Sequence, residues 1–238
     1  MDKLLYTAVS GANRVMAAQA LKANNLSNVD TAGFRADLER VQALAVSETR
    51  VMSQLGSAGV SGKAGELAPT GRTLDLAVRE RGLFTLMTRQ GEAYSRAGHL
   101  ELDPQGQLVQ GGLPVAGLDG PLVLPEYREL FVGDDGTISV IPAEGGVIEE
   151  VGRLKLVNPE MAQMRKGLDG LLRPADGVPL VADDQVTVVS GFLEGSNVDA
   201  VQELVASMDL SRQFEVQIKL MKSAESLAKA GNRLLNDV

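Results

Sequence analysis

The stretch Ala23-Asn24-Asn25-Leu26-Ser27-Asn28-Val29-Asp30-Thr31-Ala32-Gly33-Phe34-Arg35 decides how this chain is read. A helical pattern precedes it and stops within it. Asn, Ser, Asp and Thr side chains hydrogen-bond to nearby backbone, so they favour caps and turns over helix interiors. Gly33 suits a positive φ where the chain leaves a helix. Asn24, Asn25 and Asn28 together exceed what a helix end needs. The segment therefore predicts a helix terminus with additional side-chain hydrogen bonds, made locally or across an interface.

Working outward, residues 2–26 read as the helix that this terminus closes. Leu5, Val9, Ala12, Met16, Gln19, Ala23 and Leu26 step by four and three, which predicts a coiled-coil-like seam. The seam is thin. Each of Leu5, Val9, Met16 and Leu26 contributes about 1.5–3 kcal/mol on full burial, against about 1–2 kcal/mol to order each backbone residue. Such a helix needs partners on more than one side. A second helix is expected at the other end, from an N-cap at Ser196 or Asn197 to about Leu235, with Asp199 and Glu203 favourably placed near its positive end. Leu204, Met208, Phe214, Ile218, Met221, Ala228 and Leu235 form its stripe. At 1.5 Å per residue it is roughly 55–60 Å long, too long for a small domain to cover.

Between the helices the period changes to two. Leu74–Val78, Leu83–Met87, Gln107–Val109, Leu122–Leu124, Leu130–Val132, Thr137–Ile141, Gly152–Val157 and Gln185–Val189 read as strands. Turns at Gln90–Glu92, Ala97–His99 and Asp103–Gly106 separate several of them. Short strands with turn signals every 8–12 residues or so predict an all-β sandwich or barrel-like domain. Residues 36–55 are ambiguous: Leu38, Val41, Ala45, Val51, Met52 and Leu55 also allow an amphipathic helix. Gly56 to Gly65 reads as a loop or hairpin tip.

Composition narrows the function classes. A net charge of −8 without a basic cluster argues against nucleic-acid binding. The absence of cysteine excludes disulfides and thiolate metal sites. No apolar run approaches the ~20 residues of a membrane span, so membrane insertion is not expected. Leu4 to Val9 is too short for a secretory apolar core. The lone histidine, His99, sits in a Gly-His turn and reads as a turn residue. Asp134-Asp135-Gly136 and Asp183-Asp184 read as acidic turns, not as glycosidase carboxylates or calcium ligands. No nucleophile elbow or phosphate loop is present. No catalytic, cofactor-binding or metal-binding residues are expected, and the chain reads as a non-enzyme.

A resemblance then adds to this reading. Ala23, Asn24, Asn25, Leu26, Asn28, Val29, Thr31, Gly33 and Phe34 match the ANNLANVxTxGF pattern of the bacterial flagellar axial proteins, the rod, hook and hook-associated proteins. Ser27 replaces the usual alanine. The opening Met1–Ala12 resembles a proximal-rod member of that family. Thr70–Val78 is similar to TGxxLDxAI, Tyr94–Asp103 to YTRAGxFxLD, and Leu193–Val198 to LExSNV. Arg81-Gly82-Leu83-Phe84 departs from the family, which has an acidic residue before the glycine and an aromatic after it.

The resemblance implies an α+β, multi-part chain. Residues 1–35 and 196–238 would form a coiled-coil-like helical domain, 36–72 an extended arm, and 73–195 an inserted all-β domain. It favours an extended, partly hairpin-like arm from Glu48 onward and leaves 37–46 open. It implies a structural subunit of the flagellar rod, exported by the flagellar type III apparatus without a cleaved peptide into the periplasmic rod. Its partners would be other rod proteins and copies of itself. Assembly would use Leu5, Val9, Met16, Asn24, Asn25, Leu26, Asn28, Thr31, Gly33, Phe34, Leu204, Met208, Phe214, Ile218 and Met221. The rival readings are an exported peptidoglycan-acting enzyme, which needs a carboxylate pair in a cleft, and a β-domain adhesin, which leaves two long helices unexplained.

Overall fold

The computed structural model describes residues 2–47, 50–56 and 59–236, with side-chain surroundings for residues 7–39, 59–227 and 229–230. Two α-helices, α1 (Asp2–Ser27) and α2 (Ala200–Asn236), bracket a β-rich middle. The chain divides into two compact units. The first comprises Met1–Ser27, Asp37–Ala58 and Asp199–Val238; the second comprises Asn28–Ala36 and Gly59–Val198.

In the first unit α1 lies along α2, but not as the expected coiled coil. Among the described side chains of α1, the buried apolar positions are Ala8, Ala12, Val15 and Ala18, and only Ala12 belongs to the expected seam. Val9 is exposed, and Met16 is 55% exposed. Val15 and Ala18 meet Leu210, with Phe214 half-buried beside them. Gly11 marks the close approach, since a β-carbon there would stand 3.1 Å from the Gln217 side chain. The physical reason is that α1 is rich in alanine. Neighbouring three-four registers differ little in apolar area, and packing selects the one whose small side chains let the backbones come together. On α2, Leu204 and Met208 of the expected stripe face outward while Phe214, Ile218 and Met221 are partly buried, so that stripe mixes two faces; the buried apolar positions among the described side chains are Leu210 and Ala224, outside it. The side chains of Leu5, Ala228 and Leu235 lie outside the described residues.

The start of α2 also differs. Asp199, not Ser196 or Asn197, is the cap: its Oδ1 accepts from the N–H groups of Val201 and Gln202, both at 3.0 Å. Beyond the first helix, Arg40–Ser47 pairs antiparallel with Arg50–Gly56, and the second of these strands lies beside α1. Of the readings open for residues 37–46, the extended one forms from Arg40 onward; the side chains of 40–58 are outside the described residues.

The second unit is built from several small antiparallel sheets in place of one sandwich or barrel. A five-stranded sheet runs in the order Leu156–Val157, Leu83–Thr88, Gly91–Ser95, Leu172–Pro174, Met164–Lys166. Two three-stranded sheets are Tyr127–Val132, Thr137–Pro142, Glu149–Arg153 and Glu101–Leu102, Leu108–Gln110, Leu113–Pro114. Leu76–Val78 pairs with Val188–Ser190, and Leu67–Pro69 with Phe192–Glu194. The expected strand Gly152–Val157 is divided in two, and Leu122–Leu124 makes only an isolated bridge through Val123. Turns this dense leave most ladders only two or three residues long, so no single sheet extends far. Leu83–Thr88 is central because it serves two cores. Phe84 and Leu86 enter the main one with Leu76, Ile138, Val140 and Val188. Leu83 enters a second with Tyr94, Val157, Met164 and Leu172.

Candidate functional site

The stretch that closes α1 spends its polar side chains inside the fold. Asn25 is fully buried. Its Oδ1 accepts from the Asp37 N–H at 2.9 Å, and its Nδ2 donates to the Asp37 carbonyl at 3.1 Å and to Glu203 Oε1 at 3.4 Å. One amide thus satisfies both backbone groups of Asp37, as a β-bridge partner would. Asn24 Nδ2 donates to the Asp37 carboxylate at 3.2 Å. Lys22 pairs with Glu203 at 3.1 Å, so the end of α1 is tied to the first turn of α2.

Past Ser27 the chain belongs to the second unit. Thr31 Oγ1 donates to Asn28 Oδ1 at 3.2 Å, closing the turn. Gly33 has φ +69°, and a β-carbon there would lie 2.2 Å from the Ala97 backbone nitrogen, so both conformation and space require glycine. Its N–H donates to the Glu194 carbonyl at 2.7 Å. Lys166 Nζ stands 3.8 Å from the centroid of the Phe34 ring.

The main polar feature of the second unit was not anticipated from sequence. Arg35, Arg96 and Glu194, respectively 4%, 2% and 1% exposed, form a buried ion cluster. Glu194 accepts from Arg96 Nε and pairs with Arg35 at 3.0 Å. Its Oε1 also accepts from the Gly65 N–H at 2.8 Å. Arg96 donates to the carbonyls of Gly82 at 2.6 Å, Val78 at 2.7 Å and Glu80 at 2.9 Å. That grip holds a turn in which Glu80 has φ +40°. Arg35 donates to the Lys63 carbonyl, and its Nε is buried without a partner. Burial pulls the Arg35 guanidinium below its ordinary range; Glu194 opposes this, and nearby Arg96 adds to it.

Asn197 completes the arrangement. Its Oδ1 accepts from the Ala36 N–H at 2.7 Å, and its Nδ2 donates to the Lys63 carbonyl at 2.8 Å. Segments 33–36, 61–65 and 194–197 are therefore fastened together. Each of Arg35, Arg96 and Glu194 sits inside a motif that the sequence already singles out. A charged residue fixed beside a glycine or small residue in each motif was the available signal.

The exposed apolar side chains of the first unit include much of the expected assembly set. Val9 and Met16 of α1 and Leu204 and Met208 of α2 are exposed, the latter two with Val201 and Val205 on the face opposite Leu210 and Ala224. Leu26, Asn28, Gly33, Phe34, Phe214, Ile218 and Met221 are partly buried, and Asn24 and Thr31 are exposed.

His99 is part of a surface cluster: its Nδ1 lies 2.7 Å from Asp75 Oδ1, and Arg72 stands 3.5 Å from the same oxygen. Burial alone would raise the Asp75 carboxyl, but hydrogen bonds from Thr70 and His99 and the Arg72 charge outweigh it and hold it below the usual range. The acidic turns are engaged locally. Asp135 accepts from Thr137, Asp183 from the Gln185 N–H, and Asp184 pairs with Arg153. Among the described residues no group of three His, Cys, Asp or Glu side chains could hold a metal ion, and no helix is long and apolar enough to cross a membrane.

Comparison with known proteins gives consistent matches. The family described as flagella basal body rod protein matches residues 5–35. The flagellar basal body rod FlgEFG protein C-terminal family matches residues 189–234. The chain is 37% identical to the flagellar basal-body rod protein FlgF of Escherichia coli K12, over 99% of each chain. It is 36% identical to FlgF of Salmonella typhimurium, again over 99% of each, and 28% identical to FlgF of Caulobacter vibrioides over the whole of both.

Proposed function

Because the chain belongs to the flagellar basal-body rod proteins, is FlgF-like, and is a structural subunit of that rod, we propose that its two terminal helices supply the surface by which it joins neighbouring subunits. The observation that carries this is the row of exposed apolar side chains at the start of α2, Val201, Leu204, Val205 and Met208, turned away from α1. Apolar side chains clustered in this way mark an interaction surface. A repeated, non-closing contact between subunits builds a tube.

In this reading Val9, Met16, Leu204 and Met208 meet neighbours. Asn25 and Phe214 hold the surface in shape from within, and Leu26, Ile218 and Met221 border it. Asn24, Asn28, Thr31, Gly33 and Phe34 set the path of the chain where α1 ends. Residues 1–35 and 196–238 are the polymerising ends, 36–72 an arm and 73–195 a β part, a division by role. Copies of this chain and other rod proteins are its neighbours in the periplasmic rod, which it reaches through the flagellar type III apparatus without a cleaved peptide. It performs no catalysis. The peptidoglycan-acting enzyme and the adhesin gain no support from relatives that match over their full length and are named rod proteins.

The test is a Leu204→Glu, Met208→Glu double variant of the full chain. Both residues are exposed, so the thermal transition and circular dichroism should be unchanged. Incorporation into isolated basal bodies and swimming should be lost. Incorporation at the wild-type level would refute the role given to α2.

A further inference from the structure

A cleft of about 390 Å³ opens in the second unit beside the buried ion cluster. That volume is ordinary for a ligand cleft. Arg35 and Arg96 line it, with Lys63 and Arg81 at exposed positions and Pro159, Met161 and Ala162 as an apolar wall. Glu80 and Glu160 also line it. The charge beneath it is unbalanced. Two buried guanidiniums share the single carboxylate of Glu194, and Arg35 Nε has no acceptor. A buried charge short of partners is costly, and an anion brought into the cleft offsets that cost.

The same unit carries a segment of complementary chemistry. Gly145 and Gly146, with φ +84° and +137°, turn the chain into Val147-Ile148-Glu149-Glu150. Val147 is 78% exposed, Ile148 is exposed, and both glutamates are exposed. Of the other acidic turns, Asp134-Asp135 has no exposed aliphatic side chain beside it, and Asp183-Asp184 follows Val178 and Val181, which are exposed but not consecutive.

We propose that this cleft receives the Val147–Glu150 segment of a second copy of the chain. Glu150 would face Lys63, Arg81 and the underlying Arg35, with Glu149, which starts the same strand and projects to its other face, at the rim, and the aliphatic pair would lie against Pro159, Met161 and Ala162. The contact is heterologous, cleft on one copy and tip on the next, so it propagates without closing into a dimer. It rests on the reading that copies of this chain are neighbours in the rod.

The test uses full-length chain in isolated basal bodies, with wild type as the control for assembly itself. If wild type does not enter the rod, the proposed function fails and not this contact alone. Lys63→Glu with Arg81→Glu should reduce incorporation about tenfold, as like charges across an interface do. Glu149→Lys with Glu150→Lys should do the same, and co-expression of the two variants should restore it. Because the chain has no cysteine, Lys63→Cys and Glu150→Cys copies should also form a disulfide-linked dimer on oxidation, and only when both are present. Normal incorporation of either charge-reversed variant overturns the proposal. So does a cleft variant that fails while the tip variant assembles normally, which would place another protein in the cleft.

Discussion

Replacing Glu194 by alanine is the most informative single change to this fold. It removes at one stroke the acceptor of Arg96 Nε, the partner of Arg35 and the acceptor of the Gly65 N–H. Both guanidiniums stay buried. Arg96 keeps three carbonyls, but no negative charge remains within the cluster. Breaking a buried pair from one side costs about 3–5 kcal/mol, because the charge left behind cannot return to water. At about 2–4 °C per kcal/mol for a domain of this size, the melting temperature should fall on the order of 10 °C. The assay is thermal or urea unfolding followed by circular dichroism, read as a double-mutant cycle with Arg96→Met. The Arg96→Met, Glu194→Ala pair should recover part of the loss, since it removes one of the two guanidiniums that the lost carboxylate orphans and leaves only Arg35 uncompensated. A loss below about 1 kcal/mol for Glu194→Ala, or strict additivity in the cycle, would show that water or another group compensates and would refute the cluster as the fastening of segments 33–36, 61–65 and 194–197.

Other perturbations follow from the same geometry. Asn25→Ala should destabilise the helical unit by about 1–3 kcal/mol, because it removes the amide that bonds both backbone groups of Asp37, and hydrogen exchange at Asp37 should accelerate while the β-rich unit keeps its protection. Gly33→Ala should cost more than its single methyl suggests, because the residue has a positive φ and faces the Ala97 backbone; an unfolding midpoint matching wild type would contradict this. Burial, with the Glu92 carboxylate adding to it, pushes the Tyr94 hydroxyl up to about 12. A raised folded value means that stability is full below the unfolded value of about 10 and is lost as pH rises toward 12, so Tyr94→Phe should lose that alkaline step in denaturant titrations. Asp75 is held low, so its contribution is present above about pH 3.9 and disappears as pH falls through its lower folded value; Asp75→Asn should flatten the acid limb of the stability curve.

By itself the sequence determined that the ends are helical, that α1 stops in the asparagine-rich stretch, and that the middle is made of short strands separated by turns. These are local matters. Periodicity, cap chemistry and β-branching act within a few residues of one another and are written directly in the chain. The motifs also carried the family, because the backbone at Gly33 accepts so little else. Tertiary structure decided what depends on partners. Which face of α1 packs could not be read from an alanine-rich helix, where adjacent registers bury nearly equal apolar area, and so the coiled-coil seam drawn through Val9 and Met16 gave way to Ala8, Ala12, Val15 and Ala18. Asn197 looked like a helix cap and instead joins Ala36 to Lys63, leaving the cap to Asp199. Arg96 and Glu194 lie 98 residues apart, and nothing local to either says that they meet. A buried ion pair between distant motifs is specified only once the strands between them have packed, because only then is water excluded and the charge forced to find its partner.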